Sequence, residues 1–174
     1  MDRWDGNRAN VVAHVRSSGK RPALLFVCHL DVVGPGEEKW EHPPFGAVEE
    51  NGKIYGRGTT DMKGGIAAAM TAICTVVDAK AILQGDILFA ATAGEETDSA
   101  GVQRFMQDTS IANCGLRIAD SRPGNDLQSN GSALGNLAGV VVPEPTDLAV
   151  VTAHRGLFWL KITTKGKAAH SSMP

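Results

Sequence analysis

Three nearly continuous apolar runs of strand length, Ala23–Cys28, Asp86–Ala93 and Ala138–Val142, constrain this chain more than any other feature. A strand wetted on one face alternates apolar with polar residues. A continuous run suits a strand covered on both faces, as in the mostly parallel sheet of an α/β protein. Each run also ends beside residues that carry chemistry: His29-Leu-Asp31, Gly94-Glu95-Glu96 and Pro143-Glu144-Pro145. Open α/β sheets bind their ligands in the crevice beyond the carboxyl ends of the strands.

The segments between these runs fit that plan. Ala47–Glu50 and Lys53–Tyr55 flank Asn51-Gly52, a strong hairpin signal. Gly64–Val77 is apolar over helical length and reads as a buried helix starting near Asp61, and Asp98–Gln107 has helical spacing at Val102, Phe105 and Met106. Asp108–Leu137, rich in Asn, Ser, Gly and Asp, reads as a long loop. Leu148–Ala153 and Leu157–Thr164 read as further strands. The expected fold class is α/β, with a mixed, largely parallel sheet flanked by helices.

Composition narrows the function. With 174 residues, 43% hydrophobic and 21% charged, the chain has the make-up of one globular domain. Seventeen basic residues against nineteen acidic give a net charge of −2 and no basic stripe, so nucleic acid is not an expected partner. No apolar run approaches the roughly 20 residues that cross a bilayer, so no membrane partner is expected. The N-terminal MDRWDGNRAN lacks the apolar stretch of a secretory signal, which predicts a cytoplasmic location. Cys28, Cys74 and Cys114 are odd in number, far apart and outside any C-x-x-C pattern, and read as reduced, mostly buried thiols.

One histidine and several carboxylates gathered at one sheet edge form a donor set for a divalent ion such as zinc. Each residue also has an ordinary reading. His29 and Asp31 are either a surface pair or a ligand whose ring a carboxylate orients. Asp61 is either the N-cap of the helix after it or a ligand. Glu95 and Glu96 are either solvated acids at a helix start or a proton carrier beside a ligand. Glu144, fixed between two prolines, is either part of a rigid turn or a ligand.

Taken together, the blocks running from CHLDVVGPG through YGRGTTDMKGG, then ATAGEETDSAGVQRFM, VPEPTDL and HRGLFWLKITTKGKAAHSSMP resemble the M20 metallopeptidases and amidohydrolases. That family includes acetylornithine deacetylase, succinyl-diaminopimelate desuccinylase, aminoacylase and carboxypeptidase G. The resemblance implies a zinc-dependent, exopeptidase-like catalytic domain over residues 1–155, with 156–174 the first strand and turn of a lid domain. It implies that His29 and Glu144 hold one metal, that Glu96 holds a second and that Asp61 bridges them. Asp31 would steer the His29 ring, Glu95 would serve as general base, and His170 of the lid would reach the substrate carbonyl. From its sequence setting alone, His170 also reads as a turn histidine beside Ser171-Ser172. The Asp61–Met62 peptide would be cis.

The implied cofactor is Zn2+, two per site, with Co2+ or Mn2+ able to substitute. The implied activity is hydrolysis of an N-acyl amino acid, closest to the deacetylase and desuccinylase branch, with dipeptidase or carboxypeptidase action as the alternative. A homodimer through the lid is implied as well. Members of the family are roughly twice this length and take a last ligand histidine from near the C-terminus, so the chain reads as a catalytically incomplete piece. His14 and His42 lie in neither the right block nor the right order, and His154 has no ligand role to carry over. Two rival classes remain at this point, a non-catalytic metal-binding fragment and a nucleotide-binding α/β domain; against the latter, no G-x-G-x-x-G or P-loop occurs. A serine hydrolase would need a G-x-S-x-G elbow, which is also absent.

Overall fold

The computed structural model describes residues 2–4, 7–107 and 137–153. Strands β1 (Asp2–Trp4), β2 (Arg8–Val15), β3 (Arg21–His29), β6 (Gly85–Thr92) and β7 (Leu137–Val141) form one sheet in the order β1-β2-β6-β3-β7. β3 runs parallel to both β6 and β7, whereas β2 is antiparallel to β6 and β1 to β2. The sheet is therefore mixed, with a parallel centre. β4 (Val48–Glu50) and β5 (Lys53–Tyr55) pair separately as a hairpin whose turn residues Asn51 and Gly52 both have positive φ, 52° and 71°. Asn and Gly are the residues that tolerate those angles in a two-residue hairpin turn.

Side chains alternate across the central strands, and the core divides accordingly. Ala23, Leu25, Leu88 and Ala90 meet Phe105 of helix α2 (Ala100–Gln107) on one face, with Val27 and Leu137 packed beside them. On the other face Cys28, Phe89 and Ala91 meet Met62 and Ala69, with Phe26, Ile66 and Ile73 against them. Ile66, Ala69 and Ile73 belong to helix α1 (Gly64–Asp78). The apolar runs at β3 and β6 thus lie between two helical layers, which is why they carry no polar alternation.

Four expectations need correction. The strand content begins earlier than Ala23, because β1 and β2 precede β3. The α1 helix is not buried. Only Ala69 is fully enclosed, and Met70 and Val77 on the far side are about half exposed. Asp61 does not cap α1, since it lies with Met62 in a kinked, non-helical part of the turn Thr59–Lys63 and Lys63 occupies the N-cap position. Leu148–Ala153 is not a strand: Asp147 and Leu148 take positive φ in a turn, Leu148, Val150 and Val151 are exposed, and no strand among the described residues pairs with the segment. The Asp108–Leu137 loop falls outside the described residues except for Leu137, which opens β7. Leu157–Thr164, His154, His170 and the proposed 155/156 boundary lie outside them too. Among the described residues, no helix is long and apolar enough to cross a membrane.

Candidate metal centre

The parallel strands β3, β6 and β7 all point their carboxyl ends at one edge, and the polar residues that follow them collect there. His29 is the last residue of β3 and only 2% exposed. Its backbone N–H donates to Met62 Sδ at 3.0 Å. Its ring Nδ1 is 2.9 Å from the Asp31 carbonyl oxygen, an atom that can only accept, so Nδ1 carries the hydrogen. In the neutral ring Nε2 is then a bare lone pair. It faces Asp61 Oδ1 at 3.0 Å and Glu144 Oε1 at 3.6 Å.

A lone pair aimed at two carboxylate oxygens is repulsive unless a proton or a cation stands between them. The His29 pKa reflects this conflict. Burial alone would pull it down, but the hydrogen bond to Asp61, the Asp31 carbonyl and the charges of Glu144 and Glu95 drive it above its ordinary value. The Glu144 carboxyl is pushed up by burial and by repulsion from Asp61 and Glu95, with His29 opposing. Burial, aided by the Glu144 charge, raises the neighbouring Cys28 thiol to about 11. Cys28 is therefore an inert packing residue.

Donor atoms of His29, Asp61 and Glu96 all lie within 4.8 Å of one another. Two donors on one zinc ion, with bonds of about 2.1 Å in tetrahedral geometry, stand roughly 3.4 Å apart. The residues present fit a divalent cation. Glu144 reaches the cluster because helix α1 packs against the turn that carries it: an added Cβ at Gly65 would lie 2.1 Å from the Pro143 carbonyl oxygen. The Asp61–Met62 peptide, expected to be cis, is cis.

Asp31 is arranged differently from the expectation. Its carboxylate is 3.8 Å from His29 Nδ1, and the ring is held by the Asp31 main chain. The carboxylate instead accepts the N–H groups of Gly94 and Glu95 on Oδ1, at 2.8 and 3.1 Å, and that of Glu96 on Oδ2, at 3.0 Å. Residue spacing cannot distinguish these two arrangements. The Glu95 side chain is exposed beside the cluster and Glu96 is half-buried.

Among residues the sequence reading passed over, Met62 is fully buried beneath His29, and Lys63 Nζ donates to the Leu30 carbonyl at 3.0 Å. The other described histidines are engaged elsewhere, His14 with Asp86 at 2.6 Å and His42 with Glu50 at 3.5 Å.

The family model for peptidase family M20/M25/M40 matches residues 25–164. The chain belongs to that family. An M20 chain from Staphylococcus epidermidis named probable succinyl-diaminopimelate desuccinylase is 37% identical over 97% of this chain. A Staphylococcus aureus protein of the same name is 35% identical over the same share. In each case the present chain spans 36% of the relative's length. Among solved structures, the M20 family metallo-carboxypeptidase Sso-CP2 from Sulfolobus solfataricus aligns with a TM-score of 0.52 and 30% identity, covering 59% of this chain and 23% of that one. Human carnosine dipeptidase 1 aligns with a TM-score of 0.56 over 76% of this chain and 24% of that one; at 22% identity the likeness is one of fold. The M20 chain thus shares the mixed α/β fold of its structural neighbours.

Proposed function

We propose that this M20 chain carries the metal-binding half of a hydrolase that cleaves the amide of an N-acyl amino acid, with a succinyl or acetyl group as the acyl part. The observation that carries the reading is the approach of His29, Asp61 and Glu96 within 4.8 Å, with Glu144 3.6 Å from His29 Nε2. His29 and Glu144 would hold one ion, Glu96 a second, and Asp61 would bridge them. Zinc, or cobalt or manganese in its place, would supply Lewis acidity toward the carbonyl and a lowered pKa for water when bound.

Glu95 would do the proton work. It follows β6 immediately beside Glu96, is exposed, and contributes charge to both His29 and Glu144. In the proposed sequence Glu95 takes a proton from the attacking water and then delivers it to the leaving amine, giving a carboxylate and a free amine. His170 would donate to the oxygen that develops charge, an effect typically of a few kcal/mol. The names of the staphylococcal relatives favour the desuccinylase branch. The Sso-CP2 likeness, at 30% identity, supports a carboxypeptidase as the second reading. The reading extends to a cytoplasmic enzyme that dimerises through its lid.

The test is hydrolysis of N-succinyl and N-acetyl amino acids beside dipeptides, by the zinc-loaded chain and by the same residues carried in a chain of the relatives' full length. Residues 1–174 alone should turn over weakly. The longer chain should release amine from the N-acyl substrates and lose that activity in Glu95→Ala. Zinc bound without turnover of any amide in the longer chain would contradict the proposal.

A further inference from the structure

The loop that carries Glu95 and Glu96 leaves β6, the strand lying between β2 and β3, and a side chain from each flank grips it. From β2, Asn10 is 4% exposed and spans the neck of the loop. Its Oδ1 accepts the Ala93 N–H at 3.2 Å and its Nδ2 donates to the Gly101 carbonyl at 2.8 Å. The Gly101 N–H closes the neck on the Ala93 carbonyl at 2.8 Å. From the chain leaving β3, the Asp31 carboxylate receives the three successive N–H groups of Gly94, Glu95 and Glu96. Consecutive amides converging on one anion form a nest, and hydrogen bonds to an ionised carboxylate are roughly twice as strong as neutral ones.

We propose that Asp31 is a positioning residue for Glu95 and Glu96, acting through their backbone amides, and that Asn10 fixes the neck of the same loop. The proposal rests on the metal-site reading above for its consequence, but not for its geometry. His29 does not need the Asp31 carboxylate, since its Nδ1–H is already satisfied by the Asp31 carbonyl. The loop does need it. Glu95, Glu96, Asp61 and Glu144 crowd one histidine, and a loosely held loop would relieve the repulsion by swinging its glutamates into solvent. Three amide dipoles hold the loop in place and at the same time offset the charge of Asp31 itself.

The experiment is backbone amide exchange of the metal-free 174-residue chain, followed by zinc titration, for wild type, Asp31→Asn and Asn10→Ala. Asparagine at 31 keeps one oxygen but turns an amide N–H toward one of the three N–H donors. In wild type the amides of Gly94, Glu95 and Glu96 should exchange at least about 100-fold more slowly than open peptide, despite the exposure of Glu95. In Asp31→Asn they should exchange at least about tenfold faster, with Leu88 and Phe89 of β6 unchanged. The nitrogen shifts of His29 should still report Nδ1–H, and zinc affinity should fall about 10–100-fold. Asn10→Ala should speed exchange at Ala93 and Gly101 and weaken zinc in the same direction.

Unprotected amides at 94–96 in wild type would overturn the proposal, and that measurement decides the matter even if a variant fails to fold. Unchanged protection in Asp31→Asn, with an altered His29 tautomer, would overturn it too and make the carboxylate a ring-orienting group. Exchange is read without metal or substrate, so failure of the hydrolase reading and failure of this one are separate results.

Discussion

His29 Nε2 and Asp61 Oδ1 stand 3.0 Å apart although 32 positions separate them in the chain. The first sits on the end of a buried parallel strand and the second in the kinked turn before α1. Their approach creates a paired donor set at the sheet edge. In Asp61→Ala, zinc affinity should fall by at least about 100-fold, the upper end of what even outer partners contribute. The measurement is competition against a chromophoric chelator, with circular dichroism to show that the fold persists; an affinity within threefold of wild type would remove Asp61 from the site.

Glu95 and Glu96 are adjacent, but they are assigned different jobs. Glu95→Ala should keep zinc content while kcat in a chain of the relatives' length falls by about 100-fold or more, the scale of positioned proton transfer. Glu96→Ala should lose zinc. Metal analysis beside the rate assay separates them, and the reverse pattern would exchange the two roles.

Gly65 allows the first turn of α1 to lie against Pro143, next to Glu144. An alanine Cβ would meet the Pro143 carbonyl oxygen at 2.1 Å, so backbone must move. Gly65→Ala should cost about 1–3 kcal/mol of stability and weaken zinc binding with it, because the displaced turn carries Glu144, the proposed ligand. Denaturant midpoints and zinc titration check both effects.

At the far end of the sheet, Asp86 accepts the Ser17 N–H at 2.8 Å and lies 2.6 Å from His14 Nε2. The Ser17 amide does most to hold its carboxyl below the ordinary aspartate value; partial burial opposes this and His14 adds to it. A carboxyl whose folded pKa is depressed stabilises the fold above its unfolded pKa of about 3.9, and the contribution is lost as pH falls through the lower folded value. Asp86→Asn should therefore be destabilised at pH 7 by about 1–2 kcal/mol. Urea midpoints of the two chains should converge as the pH is lowered from about 5 to 3; a gap that widened on acidification would refute the assignment.

The parts of this molecule legible in its sequence are those where one local rule had no competitor. Ala23–Cys28 and Asp86–Ala93 had to be doubly covered strands, and the residues just past them had to share an edge. Asn51-Gly52 left few alternatives to a hairpin. Strand β2 was not legible because Arg8–Val15 pairs antiparallel to β6 and leaves both Val11 and Val12 about 40% exposed, so neither a clean alternation nor a full apolar run marks it. Its one signal was the β-branched pair after a buried polar residue, Asn10. Leu148–Ala153 shows the converse error, an apolar stretch with strand propensity that pairs with no strand among the described residues. The carboxylate of Asp31 could not be read at all, because His-x-Asp spacing allows either the carbonyl or the side chain to meet the ring, and only the fold brings the Gly94–Glu96 amides within reach of the latter.

The most direct test of the metal centre is anomalous diffraction at the zinc edge from crystals of this chain grown with zinc. A peak is expected about 2.0–2.2 Å from His29 Nε2 and from oxygens of Asp61 and Glu144, with a second peak at Asp61 and Glu96. Zinc seated only at His14 and Asp86 or at His42 and Glu50, with none at His29, would contradict it.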